Sequence, residues 1–145
     1  MAKVTRIGVD EMMRDLAALA EGDVVTAVGV PALQVGGNAA VAIAQGTAPR
    51  RTGRFAGSIH VEGGATQGNW SPAQGEASLE PPPATKTSVA VAVGSTLWYG
   101  RFVEFGTSKA AARRPVGNAV DAVDQVITDA LDHYMRVWLG GLGLD

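Results

Sequence analysis

The stretch Tyr99-Gly100-Arg101-Phe102-Val103-Glu104-Phe105-Gly106-Thr107-Ser108-Lys109-Ala110-Ala111-Ala112-Arg113-Arg114-Pro115 decides how the rest of the chain is read. It sits between an alternating segment and a long amphipathic one. It gathers three aromatics and a valine about one carboxylate, then breaks at Gly106 into a basic loop. Nothing in it sets a nucleophile beside a base. It reads as a buried elbow joining a sheet to a helix, with one face left for a neighbour.

On its C-terminal side, Pro115 suits the first turn of a helix. Val116, Ala119, Val120, Val123, Ile127, Leu131, Tyr134 and Trp138 then recur on one helical face, and Asp121, Asp124, Gln125, Asp129, Asp132 and Arg136 take the other. This predicts one long helix as far as the stop at Gly140-Gly141, with a loose tail over 140–145. His133 near its end needs only a structural reading, since a helix C-terminus tolerates positive charge.

On its N-terminal side, Lys86 to Ser95 alternates as a strand does, with Val89, Val91 and Val93 on one face and Ser88, Ala90 and Ala92 on the other. The small residues suggest that a helix approaches that second face. Phe55, Ile59 and Val61 alternate with Ala56, Ser58, His60 and Glu62, predicting a second half-buried strand paired antiparallel with the first. A third strand is expected for stability. Trp98 to Phe105 is a candidate for it, or equally for a short helical turn.

Further upstream, Asp10 can cap a helix carrying Met12, Leu16, Leu19 and Ala20 on one face, ended by Gly22. Asp23 can cap another, whose stripe is Val24, Val28, Val35, Ala39 and Ile43. Pro31 and Gly36-Gly37 interrupt it, so a kink or two short helices are expected. Pro49 ends the helix at Ala48, and Thr52-Gly53 signals a turn. Arg50, Arg51 and Arg54 form a local positive patch that reads as solvated surface, or as a partner for carboxylate or DNA phosphate. Residues 63–86 have no periodicity and hold Trp70 and the run Pro81-Pro82-Pro83. Unstructured loops beyond about 15 residues are uncommon in compact domains. Trp70 is the residue there best suited to anchor a neighbour.

These elements describe a single α+β domain over residues 1–145: a small antiparallel β-sheet packed against an N-terminal helical segment and a long C-terminal helix. At 46% apolar and 18% charged the chain can build a core, and at a net charge of −2 it has no global field for nucleic acid. It has no cysteine, which excludes disulfides and thiolate metal sites, and its two histidines lie far apart in sequence. No metal or cofactor is expected. The N-terminus lacks a signal-like apolar core and the run Ala39 to Ala44 is too short to span a bilayer, so a soluble protein made in the cytoplasm is expected. There is no GxGxxG or GxxxxGK[ST] spacing. Glu104, set among Phe102, Val103 and Phe105, is expected to form a structural ion pair with Arg101, Arg54 or one of Arg113 and Arg114. A hydrolase built on it is a distant alternative.

Two ordered motifs carry a resemblance. Ala48-Pro49-x-x-Thr52-Gly53-Arg54-Phe55-x-x-Ser58-Ile59 is similar to the "APxxTGxLxxSI" signature of phage tail-completion proteins. Val93-Gly94-Ser95, Tyr99-x-x-Phe102-Val103-Glu104-Phe105-Gly106-Thr107 and Ala112-Arg113-Arg114-Pro115 follow as that group's second motif does. The chain resembles the small neck proteins of long-tailed phages, the group that includes lambda minor tail protein Z, over residues 24–138. It departs from them at Ala110-Ala111-Ala112 and Val116, where the group carries a proline and a bulky residue, and in its long 63–86 insertion.

The resemblance implies an α+β domain without enzymatic activity. It implies a homo-oligomeric ring, expected to be hexameric, at the head–tail junction of the virion or the top of the tail tube. The partners expected are further copies of the chain, the adjoining connector and tail-tube or tail-terminator proteins, and DNA passing through without sequence-specific binding; no membrane is expected. Trp70, Pro81, Pro82, Pro83, Thr107, Ser108, Lys109, Arg113 and Arg114 are the expected interface residues, ordering on assembly, and Arg50 and Arg51 the expected DNA-channel contacts. The alternative is a nucleic-acid-binding module using the Arg50/Arg51/Arg54 and Lys109/Arg113/Arg114 patches.

Overall fold

A long helix with almost no side-chain bulk on its inner faces runs through the middle of the domain. In the computed structural model, which describes Ala17, residues 23–63 and residues 88–143, it begins with a π-helical turn, Val25–Gly29, and continues as α1, Val30–Thr47. The other elements are α2 (Arg54–Ser58), β1 (Ile59–Gly63), β2 (Val91–Ser95), α3 (Gly100–Phe105), α4 (Pro115–Asp121) and α5 (Asp124–Gly141). The fold is α+β, as the periodicities predict.

The helical segment starts where Asp23 accepts hydrogen bonds from the Thr26 N–H (3.1 Å) and hydroxyl (2.6 Å). Pro31 does not split it. The ring falls in the first turn of α1, and the wider π turn just before it absorbs the register change that a missing N–H demands. The helix ends at Ala48, extended at φ −64°, ψ 147° ahead of Pro49.

Its buried residues are Val28, Val30, Ala32, Gly36, Gly37, Ala40 and Ala44. Val35 and Ile43, expected on the core stripe, are instead 39% and 38% exposed. Close approach explains the difference, because α1 is packed on two sides. A methyl group at Gly36 would overlap Cγ1 of Ile127 on α5 and lie 2.9 Å from its Cδ1. A methyl at Gly37 would lie 2.7 Å from Cγ2 of Val61 on β1. One glycine of the pair admits α5 and the other admits the sheet. Val25–Thr47 is long and apolar enough to cross a membrane by length and composition, at a mean hydropathy of 1.5. Here its small inner faces form the centre of the domain instead.

Among the described residues the sheet has two strands, antiparallel, with Ile59 opposite Ser95 and Val61 opposite Val93. No third strand backs it among the described residues. Helix α1 does so, which is the other route by which a strand pair becomes stable. The approach is on the valine face rather than the small-residue face: Val61 and Val91 reach Gly37, and Val89 reaches Gly29. The strand predicted from Phe55 begins only at Ile59. Gly53, left-handed at φ 72°, turns the chain into α2, and Ser58 donates from Oγ to the Phe55 carbonyl at 2.7 Å, closing a helical turn.

The single long C-terminal helix is two. Helix α4 ends at Asp121, and Ala122-Val123 restart the chain as α5. Val123 is buried within the core of Ala40, Ala44, Ala48, Phe55, Ile59, Leu97 and Ala119. The break turns Val120 outward, 44% exposed, and Leu131 to the edge, 38% exposed.

Candidate assembly site

The elbow is built from the end of β2 onward. Ser58 and Ser95 meet at 2.6 Å between their hydroxyls. Because the Ser58 proton is committed to the Phe55 carbonyl, Ser95 donates to Ser58 while its own oxygen accepts from the Leu97 N–H (3.2 Å). This chain of bonds fixes where β2 hands over to the Thr96–Tyr99 turn. Gly100 then passes close to Phe55, whose Cε2 would sit 3.2 Å from a methyl there. Trp98 to Phe105 is thus a turn and a helix, α3, rather than a strand.

Helical spacing divides the motif's side chains. Val103 packs against the core. Trp98, Phe102 and Phe105, separated by four and three residues, fall on the other side, where they are 75%, 38% and 78% exposed. Trp98 meets Phe102 edge-on at 6.0 Å, and the Arg101 guanidinium lies 4.9 Å from the centre of the Phe102 ring. The apolar pocket expected around Glu104 is therefore not formed by Phe102 and Phe105. They make an outward aromatic surface instead, and the four-three spacing is the sequence signal for it.

Glu104 itself is half-buried, and its partners are backbone groups. Its carboxylate accepts from the N–H of Val116 (3.1 Å) and of Gly117 (2.7 Å), capping the first turn of α4 from another element. Among the described residues no arginine comes within ion-pair distance of it, so the expected pair with Arg54, Arg101, Arg113 or Arg114 is not formed. A helix start needs acceptors, and Arg114, the residue at the cap position, has none in its side chain. Arg114 adopts left-handed geometry at φ 45°, ahead of Pro115. Gly117 has to be small: a methyl there would sit 2.8 Å from Oε1 of Glu104 and 3.1 Å from the Arg114 guanidinium.

The loop after α3 is held by its own hydrogen bonds. Gly106, at φ 77°, runs so close to the returning chain that a methyl would lie 2.6 Å from the Ala112 nitrogen. Thr107 and Ala110 exchange backbone hydrogen bonds (2.8 and 3.3 Å), Thr107 Oγ1 accepts from the Lys109 N–H, and the Arg113 N–H reaches the Val103 carbonyl at 3.0 Å. Ser108 and Lys109 form the exposed tip, with Arg113 and Arg114 exposed behind it.

Arg50 and Arg51 line an open hollow of about 550 Å³ with Gln45, Thr52, Gly53, Ala56 and Gly57. Arg54, also exposed, opens α2 beside it. Trp70, Pro81, Pro82 and Pro83 lie outside the described residues. No group of His, Asp and Glu suited to hold a metal occurs among the described residues.

No curated protein and no solved structure matches the chain significantly. A family model does match, over residues 10–106, described as "Bacteriophage HK97-gp10, putative tail-component". The match takes in both strands, α1 and the whole of α3, and ends at the glycine that closes α3. By that match the chain belongs to the HK97-gp10-like family of bacteriophage tail components.

Proposed function

We propose that this chain is a structural tail-completion or neck protein, akin to lambda minor tail protein Z, that joins the phage tail to the head connector. Copies of it form a ring about the DNA channel, hexameric by the resemblance. The ring contacts connector proteins on one side and tail-tube or terminator proteins on the other. Its place is the head–tail junction, its role is mechanical rather than enzymatic, and DNA passes it without being read.

One observation carries this reading beyond family membership. The segment 98–105, within the residues that the family model matches, places Trp98 and Phe105 at 75% and 78% exposure while securing the backbone beneath them. Large rings left open on a rigid support suit a surface that another protein covers. A phage lacking the chain is expected to accumulate filled heads and free tails. Electron microscopy of intact particles is expected to place the chain between them, and density elsewhere in the particle ends the proposal.

The hollow at Arg50 and Arg51 supports a second reading, contact with DNA phosphate. Purified protein that bound duplex DNA tightly, with affinity falling steeply as salt rises, would favour a nucleic-acid-binding module. Weak binding fits a channel that DNA must slide through.

A further inference from the structure

Charge is segregated in this domain. The segments 50–54 and 101–114 hold Arg50, Arg51 and Arg54, then Arg101, Lys109, Arg113 and Arg114: seven cations against one carboxylate, Glu104, a net of +6. That carboxylate is already engaged by the amides of α4. The segment 121–141 holds Asp121, Asp124, Asp129 and Asp132 against Arg136, a net of −3 with His133 neutral. Arg136 is tied to Asp132 at 3.0 Å within α5. No ion pair among the described residues joins the two groups.

Each charged region also carries exposed apolar surface. The cationic segment 101–114 contains the exposed Phe102 and Phe105 and follows the exposed Trp98, with the Arg101 guanidinium 4.9 Å from the centre of the Phe102 ring. On α5, which packs against α1 through Ile127, Val126, Asp129, His133 and Val137 are spaced by three, four and four residues and form one exposed stripe. Val137 is the most exposed large aliphatic side chain described, at 60%.

We infer that the face of Trp98, Arg101, Phe105 and the Arg113-Arg114 pair docks on the Val126–Asp129–Val137 stripe of α5 in a second copy of the chain. The inference rests on the ring reading above and specifies the two faces such a ring would join. Duplex DNA complements the cations but offers no aliphatic surface to the two open rings, whereas α5 offers both. The faces are different, so the contact is heterologous, as a closed ring requires. Exposed ion pairs add little affinity each, so the charges orient the encounter and the aromatic anchors hold it.

Two variants of the full chain test this. One carries Arg101→Glu and Arg113→Glu; the other carries Asp129→Lys. Circular dichroism confirms that each is folded, and analytical ultracentrifugation at low and high salt reads the assembly. The unaltered chain is expected to self-associate, and each variant alone to lose its oligomer. An equimolar mixture is expected to regain it, because each reversed face then meets a complementary one. Oligomers of parental size from both variants alone, or a mixture that stays dissociated, overturns the face assignment and leaves the ring reading standing. A parent chain that remains monomeric, yet binds duplex DNA through a surface lost on arginine reversal, overturns it in favour of nucleic acid. The ring reading fails separately, if particles show no ring of this chain.

Discussion

Helix α1 and the α3–α4 elbow each join two elements, and they do so by different physics. At α1 the join is made by removing atoms: Gly36 and Gly37 strip two sides of the helix so that Ile127 and Val61 can reach its backbone. At the elbow the join is made by adding a charge, since the Glu104 carboxylate satisfies two amides that α4 cannot satisfy itself. The first contact is non-directional, and its strength scales with how well the shapes fit. The second is directional, and it leaves the outer side of α3 free of any packing duty. A domain that holds its shape while leaving large rings exposed has use for both.

The comparison breaks most visibly at Gly36. Replacing it by alanine drives a methyl into Ile127, a β-branched side chain with little freedom to turn aside. A loss of about 3 kcal/mol is expected, the upper end of what overpacking costs. Chemical denaturation measures it. Ile127→Ala removes the obstructing carbons, so the double variant is expected to lose less than the sum of the two single ones. Strict additivity would mean that the two helices do not meet as described.

At the elbow the expected loss is smaller and of another kind. Glu104→Ala leaves the Val116 and Gly117 amides without their acceptor and is expected to cost about 1–2 kcal/mol, in the range of a lost helix cap. Glu104→Gln keeps one carbonyl oxygen and is expected to cost about half as much. Hydrogen exchange sharpens the distinction: faster exchange should be confined to the start of α4, whereas Gly36→Ala should loosen α1 and α5 together. Equal losses for alanine and glutamine would remove the capping role from Glu104.

The Ser58–Ser95 link sits between these cases. Ser95→Ala deletes the donor to Ser58 and the acceptor for the Leu97 N–H but leaves no cavity of consequence. About 1 kcal/mol is expected, the net worth of an ordinary hydrogen bond. Thermal unfolding checks it, and a loss as large as that of Gly36→Ala would show the link to be structural in more than its hydrogen bonds.

How much of this the sequence discloses depends on which force is at work. The strand pair is legible because the alternation of Val89, Val91 and Val93 depends on local geometry alone, although of the strand expected over 86–95 only Val91–Ser95 pairs as β2 among the described residues. The end of α1 at Pro49 follows from proline's own sterics. The face of α1 is misread because hydrophobic periodicity searches for large residues, and Val35 and Ile43 are large. The close packing that buries Gly36 and Ala40 instead is set by what α5 and the sheet bring to it. The break at Ala122-Val123 is hidden for a similar reason: Val123 extends the helical stripe on paper, and only the tertiary core draws it out of register. At the elbow, the importance of Glu104 is visible from its apolar neighbours, but its partner is not. Charge complementarity suggests an arginine, whereas the orphan amides of a helix that begins eleven residues later at Pro115 cannot be seen in a list of side chains.

The smallest expected effect on stability concerns the outer side of α3, and it tests the contrast most directly. Phe105→Ser removes a ring that is 78% exposed. Little buried area is lost, so the unfolding midpoint should shift by no more than about 0.5 kcal/mol equivalent, as for other surface substitutions. Trp98→Ser should cost slightly more, because Trp98 also meets Tyr99 edge-on at 5.6 Å. If the rings face a neighbour, both variants should fold normally and still fail to join heads to tails in a complementation assay. A ring that served the interior of its own domain would give the reverse: a marked loss of stability for Phe105→Ser, with normal joining in whatever protein remained folded. That outcome would place the exposed aromatics inside the same packing logic as Gly36 and dissolve the difference between the two regions.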